Sequence, residues 1–170
     1  DAFVDVRARG GFGGDAVDRV EIDVDPIVPT ILIYDRPTSA LEAKFSMAFC
    51  AAAALVFGHV GIETFDSAHI RDTRIAALMP RISMRVDDQI GVGRPALTEA
   101  RVRIQLKDGR TLTQAAHGAR GYPSNPATPA DFEAKFLSCA RAVLSEAAAG
   151  NLLGRLRGPE ALDSIGKVFP

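Results

Sequence analysis

The sequence has almost no net charge: 20 Lys and Arg residues stand against 21 Asp and Glu, for a formal charge of −1. With no basic excess and no Lys/Arg-rich run, nothing in it would hold a phosphate backbone or an anionic lipid surface, and nucleic-acid partners are not expected. Long hydrophobic runs are also missing. The longest, MAFCAAAALVF at residues 47–57, is far short of the roughly 20 apolar residues that cross a bilayer, so a transmembrane helix is not expected. Only two cysteines occur, Cys50 and Cys139. Both fall in apolar helical patterns and no Asn-x-Ser/Thr acceptor is present, which excludes a disulfide framework and indicates a reducing, cytoplasmic compartment. The histidines His59, His69 and His117 are scattered, with no Cys or carboxylate at ligand spacing, and no metal site is expected.

What remains is an ordinary globular composition, 47% hydrophobic and 24% charged over 170 residues, enough for one domain with its own core. Residues 1–9 (DAFVDVRAR) carry Phe3, Val4 and Val6 as though already inside a helix, with neither an initiator Met nor a signal peptide before them. The expectation is a piece of a longer chain.

Four segments alternate as half-buried strands do. Val20, Ile22 and Val24 alternate with Glu21, Asp23 and Asp25, and Ile82, Met84 and Val86 alternate with Ser83, Arg85 and Asp87. Residues 99–106 and 110–116 flank Asp108-Gly109, a turn signal that predicts an antiparallel hairpin because Gly tolerates the positive φ required. The helix signals are equally local. Ser39 followed by Glu42 forms a capping-box pattern before the periodic set Leu41, Phe45, Ala48, Phe49, Ala52, Leu55 and Val56, with Gly58 as its stop. From Met47 onward this helix is apolar on nearly every face, so it is either central to the fold or a docking helix with one side uncovered. Short helical pieces are predicted at 67–71 and 72–79, capped by Ser67 and Asp72. A longer helix is predicted behind the Thr128-Pro129 cap, burying Phe132, Phe136, Leu137, Ala140, Val143 and Leu144. A last one starts at Pro159. The predicted class is α+β, a two-layer sandwich of a mostly antiparallel four-stranded sheet packed against three to four helices.

Chemistry-bearing residues are few. Gly10, Gly11, Gly13 and Gly14 precede a strand instead of following one and have no Lys-Ser/Thr after them, which favours a plain turn over a phosphate loop. The segment 34–46 (YDRPTSALEAKFS) sets Tyr34, Arg36, Lys44 and Ser46 around the start of a buried helix. An Arg fork, a Lys and two hydroxyls near unpaired amides can clamp a small polycarboxylate. Equally, Arg36 and Lys44 can pair with Asp35 and Glu42 at the surface. Residues 118–126, with Tyr122, Pro123, Ser124, Asn125 and Pro126, form a stiff loop that either seals a site or serves as a rigid connector held by an Asx-type turn at Asn125.

Taken in order, these motifs resemble the MmgE/PrpD (2-methylcitrate dehydratase) family at the start of its second domain. Arg36-Pro37 followed by Glu42-Ala43-Lys44-Phe45-Ser46 and an Ala-rich helix, the Asp108-Gly109 hairpin, the loop Gly121 to Pro126, Lys135-Phe136 and Cys139-Ala140 all find counterparts there. The resemblance implies a cofactor-free enzyme of small di- or tricarboxylates, acting by proton abstraction next to a carboxylate, as in propionate catabolism. It further implies a homodimer in which an α+β lid covers a large helical domain. This chain, residues 1–170, would be the lid, and most acid/base residues would lie outside it. Tyr34 then matches a position that presents a hydroxyl to the pocket. Arg36, Lys44 and Ser46 would bind carboxylate or fix the helix. The rival expectation is an inactive stand-alone binding or dimerisation module.

Overall fold

The structure, a computed structural model, describes residues 1–93, 99–158, 164 and 166. The chain divides into two compact units, Asp1–Asn125 and Pro126–Pro170.

The first unit holds the sheet. Its elements are α1 (Ala2–Gly10), β1 (Val17–Val24), the single turn α2 (Val28–Ile31), α3 (Ala40–Lys44), α4 (Met47–Phe57), the short α5 (Ser67–Ile70) and α6 (Thr73–Leu78), then β2 (Ile82–Val86), β3 (Glu99–Leu106) and β4 (Thr111–His117). The strand order is β2-β1-β3-β4. The ladders β1–β3 and β3–β4 are antiparallel and β1–β2 is parallel, since all of α2 to α6 lies between those two strands and carries the chain back to the starting end. The predicted hairpin forms, with Gly109 at φ 89° donating its N–H to the Leu106 carbonyl.

Alternation divides the sheet into two unlike faces. Val20, Ile22 and Val24 of β1 and Val102, Ile104 and Leu106 of β3 are buried under the helices. The other face carries Arg19, Glu21, Asp23, Arg85, Arg101 and Arg103, tied by Arg19–Glu21, Arg85–Asp23 and Arg103–Glu21 pairs at 2.9 to 3.3 Å. One helical layer on one sheet face is the predicted α+β arrangement.

At its centre lies α4. Ala51, Ala52, Ala53 and Ala54 are all buried. Four successive helical residues point about 100° apart, so their joint burial means that the helix is enclosed on every side. It packs on α1, α6 and β2. Of the two expectations for the segment, the structure displays the central helix: residues 51–55 of α4 are buried all round, and only residues nearer its ends, Met47, Ala48, Cys50, Val56 and Phe57, are partly exposed. The small alanines are what let neighbours close in from all directions.

Several boundaries differ from those predicted. The helix expected to run from Ser39 is two helices, because the chain turns at Phe45 and Ser46 restarts it by accepting the Phe49 N–H at 3.2 Å. Ser39 caps α3 as expected, accepting the Glu42 N–H at 3.3 Å, while the Glu42 carboxylate takes the Thr38 N–H and hydroxyl, at 2.6 and 2.9 Å. Asp66, not Ser67, caps α5, accepting the N–H groups of Ala68 and His69. A carboxylate one residue earlier competes successfully for the same amides.

Asp72 caps α6 as expected and also grips its own neighbour. Its Oδ1 accepts the Arg74 backbone N–H at 2.8 Å, and the Arg74 guanidinium donates to both carboxylate oxygens, at 3.1 and 2.7 Å. The guanidinium first, then the backbone N–H, hold the carboxyl at about 2 against an ordinary 3.8. A value depressed by folding contributes stability that is complete above the unfolded value and lost as pH falls through the folded one. We therefore expect Asp72→Asn to lower the urea midpoint at about pH 6, with the gap from the parent protein shrinking below about pH 4. A gap that persists unchanged at low pH would remove the carboxylate from the account.

The second unit contains α7 (Pro129–Ala140) and α8 (Glu146–Arg157), which pack on each other. Thr128 and Asp131 form the reciprocal cap, with Pro129 at the first helical position. The predicted helix does not run on through Val143 and Leu144, because the chain turns after Ala140 and Ser145 caps α8. Phe132 and Val143, expected in its buried face, are exposed. The helix expected from Pro159 lies outside the described residues, and α8 was not anticipated. Its Ala-Gly-rich start (EAAAG) carries little periodic signal. Among the described residues no helix is long and apolar enough to cross a membrane.

Candidate functional site

The connector between α2 and α3 and the break between α3 and α4 position all four predicted site residues. Pro37 is buried and pins the connector, while the Tyr34 N–H reaches the Phe45 carbonyl at 3.3 Å and ties it to the end of α3. Local sequence explains the turn: Pro37 cannot donate to a helix and Ser39 starts one, so the chain must reverse between them.

Tyr34, Arg36 and Lys44 are exposed on this connector and helix end, whereas Ser46 is 0% exposed. Ser46 spends its hydroxyl on the Phe49 N–H, inside the core. Of the two roles expected for it, the geometry displays the fixing of the helix. The surface pairing considered for the cations does not form. Glu42 is engaged by Thr38, whose N–H and then hydroxyl hold its carboxyl below the usual range. Lys44 extends over the ring of Phe65, its Nζ 5.8 Å from the centroid, a cation–π placement that orients the ammonium without neutralising it. Among the described residues neither Arg36 nor Lys44 pairs with a carboxylate.

Around these cations lies an apolar strip that the sequence reading did not single out. Ile33 is 60% exposed, Leu41 66%, Phe45 40% and Tyr34 38%. Leu41 and Phe45 belong by sequence to the same periodic set as Phe49, Ala52 and Leu55 of the core. The signal that separates them from the core is the second cap at Ser46, which breaks the helix and resets its phase, so residues before the break no longer follow the face of α4.

The loop at 118–125 is folded upon itself. Gly121 donates to the Asn125 carbonyl and Asn125 to the Tyr122 carbonyl, both at 2.8 Å, while Asn125 Nδ2 donates to the Gly118 carbonyl at 3.2 Å. Asn125 thus braces the loop base through a side-chain bond reaching back seven residues. Gly118, at φ 109°, has room for no Cβ beside the Ser124 hydroxyl.

Cys50 is not placed for nucleophilic work. Cys50 lies on α4 against the Ala43 carbonyl, and burial pushes its thiol up to about 11. No group of three or more His, Cys, Asp or Glu side chains suited to a metal occurs among the described residues.

Comparison with known proteins bears on the same stretch. The cis-aconitate decarboxylase of Homo sapiens is 23% identical over 138 residues, covering 80% of this chain and 28% of that protein. The cis-aconitate decarboxylase of Mus musculus is 24% identical over 138 residues, 80% of this chain and 27% of its own length. The chain thus spans little more than a quarter of these relatives. Residues 1–153 match the MmgE/PrpD C-terminal domain. With nearly the whole described fold inside that match, the chain belongs to the MmgE/PrpD family and carries its C-terminal domain.

Proposed function

We propose that this domain covers the substrate in a 2-methylcitrate dehydratase-like lyase or isomerase, cytoplasmic and homodimeric, that acts on small di- or tricarboxylates without metal or redox cofactor. The observation that carries the reading is the pair of uncompensated cations, Arg36 and Lys44, set beside an exposed apolar strip in a domain of this family. Proton removal next to a carboxylate builds negative charge onto that carboxylate, and a guanidinium fork with an ammonium nearby stabilises it as it develops. Tyr34 supplies a hydroxyl that hands on a proton or orients the substrate. Ser46 fixes the start of α4 and so the place of Lys44 two residues earlier. The strip of Ile33, Leu41 and Phe45 takes the helical domain or a second subunit, which closes the cleft and brings the remaining acid/base groups.

The test is solvent exchange. Full-length protein incubated in deuterium oxide with cis-aconitate, 2-methylcitrate or citrate is expected to turn over at least one of them. Deuterium should appear at the carbon next to a carboxylate, read by mass spectrometry. No turnover and no deuterium with any of the three would refute the enzyme reading.

A second reading, an inactive binding or dimerisation module, draws support from one observation: α4 is enclosed by its own unit and needs no outside cover. The same exchange experiment separates the two.

A further inference from the structure

Elsewhere in the first unit, a cavity of about 520 Å³ opens between the loop before β1, the end of α4, α6 and the start of the β3–β4 turn. That volume lies in the range of small-molecule sites. Four cations line it, Arg7, Arg74, Arg81 and Lys107, against one carboxylate, Asp15. Its floor is apolar, from Val56 and Leu78.

The way these cations are held matters more than their number. Arg7 Nε donates to the Leu55 carbonyl at 2.9 Å, Arg81 Nη1 to the Val17 carbonyl at 3.0 Å, and Lys107 Nζ to the Asp15 carbonyl at 2.6 Å. Backbone carbonyls orient a cation but leave its charge whole. Among the described residues none of these three pairs with a carboxylate; only Arg74 does, with Asp72. Each guanidinium spends one N–H on its anchor and keeps others for a ligand. Two glycines permit the arrangement. A Cβ on Gly58 would overlap the Arg7 guanidinium, and one on Gly14 would lie 2.8 Å from the Val56 side chain on the cavity floor. Gly13 and Gly14 therefore contribute a thin wall and not a phosphate loop, in keeping with their position before a strand.

We propose that this cavity is a second binding site, for a small organic anion bearing two or more negative charges, phosphorylated or polycarboxylate, with an apolar portion that rests on Val56 and Leu78. The assignment is independent of the Tyr34–Lys44 region, none of whose residues lines the cavity.

The experiment measures binding of pyrophosphate and of citrate to the full-length protein by calorimetry at fixed ionic strength. An Arg36→Ala/Lys44→Ala background removes carboxylate binding at the candidate catalytic site, and the two probes distinguish a phosphate ligand from a carboxylate one. Ala77 lines the cavity on the exposed side of α6, so Ala77→Glu places a carboxylate among the cations without disturbing the core. It is expected to weaken the bound probe about fivefold, and Asp15→Asn to tighten it about twofold. Opposite signs at two exposed positions are not produced by a structural lesion, and Asp15→Asn decides alone should Ala77→Glu fold poorly. Saturable binding of either probe with those shifts supports the site. Absence of saturable binding by both, or affinities that Asp15→Asn leaves unmoved, overturns it.

Discussion

On the proposed function, Arg36→Ala combined with Lys44→Ala in the full-length protein is expected to raise KM for a tricarboxylate by about two orders of magnitude, with folding intact. A hydrogen bond to a charged group contributes about 1.5–3 kcal/mol, and the variant removes two such donors, whose combined loss corresponds to a factor of about 100 or more. Both side chains are exposed and neither makes an ion pair among the described residues, so truncation deprives the fold of little beyond the Lys44 stem on Phe65. The two substitutions should not act alike. Arg36 offers a bidentate fork and Lys44 a single charge, so Arg36→Lys restores only part of the affinity while Lys44→Arg is tolerated better. An unchanged KM in the double variant would take both residues out of the site, and a lowered Tm would reassign them to structure.

Phe49→Ala is expected to have the largest effect on stability. The ring is 0% exposed, on the first turn of α4, with Phe65 beside it at 6.0 Å between centroids. Truncating a buried Phe to Ala costs about 3–5 kcal/mol. A domain's whole stability is about 5–15 kcal/mol. The variant should unfold at a much lower urea concentration or fail to accumulate folded. Phe49→Leu, which retains most of the volume, keeps the experiment interpretable and should cost a fraction of that. The loss also has a route to the candidate site. Phe49 packs on Phe65, and Phe65 carries the Lys44 ammonium on its face, so loosening the core ring frees the ring above it. Phe65→Leu should therefore raise KM while leaving most of the stability in place. A Phe49→Ala protein as stable as its parent would mean that α4 is less tightly enclosed than its buried alanines indicate.

Period-two patterns made the sheet legible, because its inner strands β1 and β3 each have one buried face and one charged one. Val20, Ile22 and Val24 could only face a core while Glu21 and Asp23 faced Arg103 and Arg85. The parallel pairing of β1 with β2 left no such trace, since it depends on the path of the crossover and not on either strand's own residues. The centrality of α4 was readable only as a choice between two options, for a helix apolar all round says that it is covered without saying by what. At the candidate site, the cations stood out by type. Their freedom from Asp35 and Glu42 did not, because it turns on Thr38 capturing the Glu42 carboxylate. The cavity with Arg7, Arg74, Arg81 and Lys107 was invisible for a different reason. Its residues come from five separate stretches of the chain, and no spacing rule joins them.

The position of β1 inside the sheet has a bearing on how the chain is made. Val20 pairs with Ile82 on one side and with Ile104 on the other, so the strand of this sheet that is made first is the one that waits longest for both neighbours. Until residues 99–106 emerge, a run of Val20, Ile22 and Val24 stands with at least one unpaired edge, the template on which strands of different molecules join. Closing loops of that length slows folding. The charged side of the same strand, with Arg19, Glu21 and Asp23 alternating between the apolar positions, keeps one face of the nascent strand solvated through that interval and acts as its gatekeeper against aggregation.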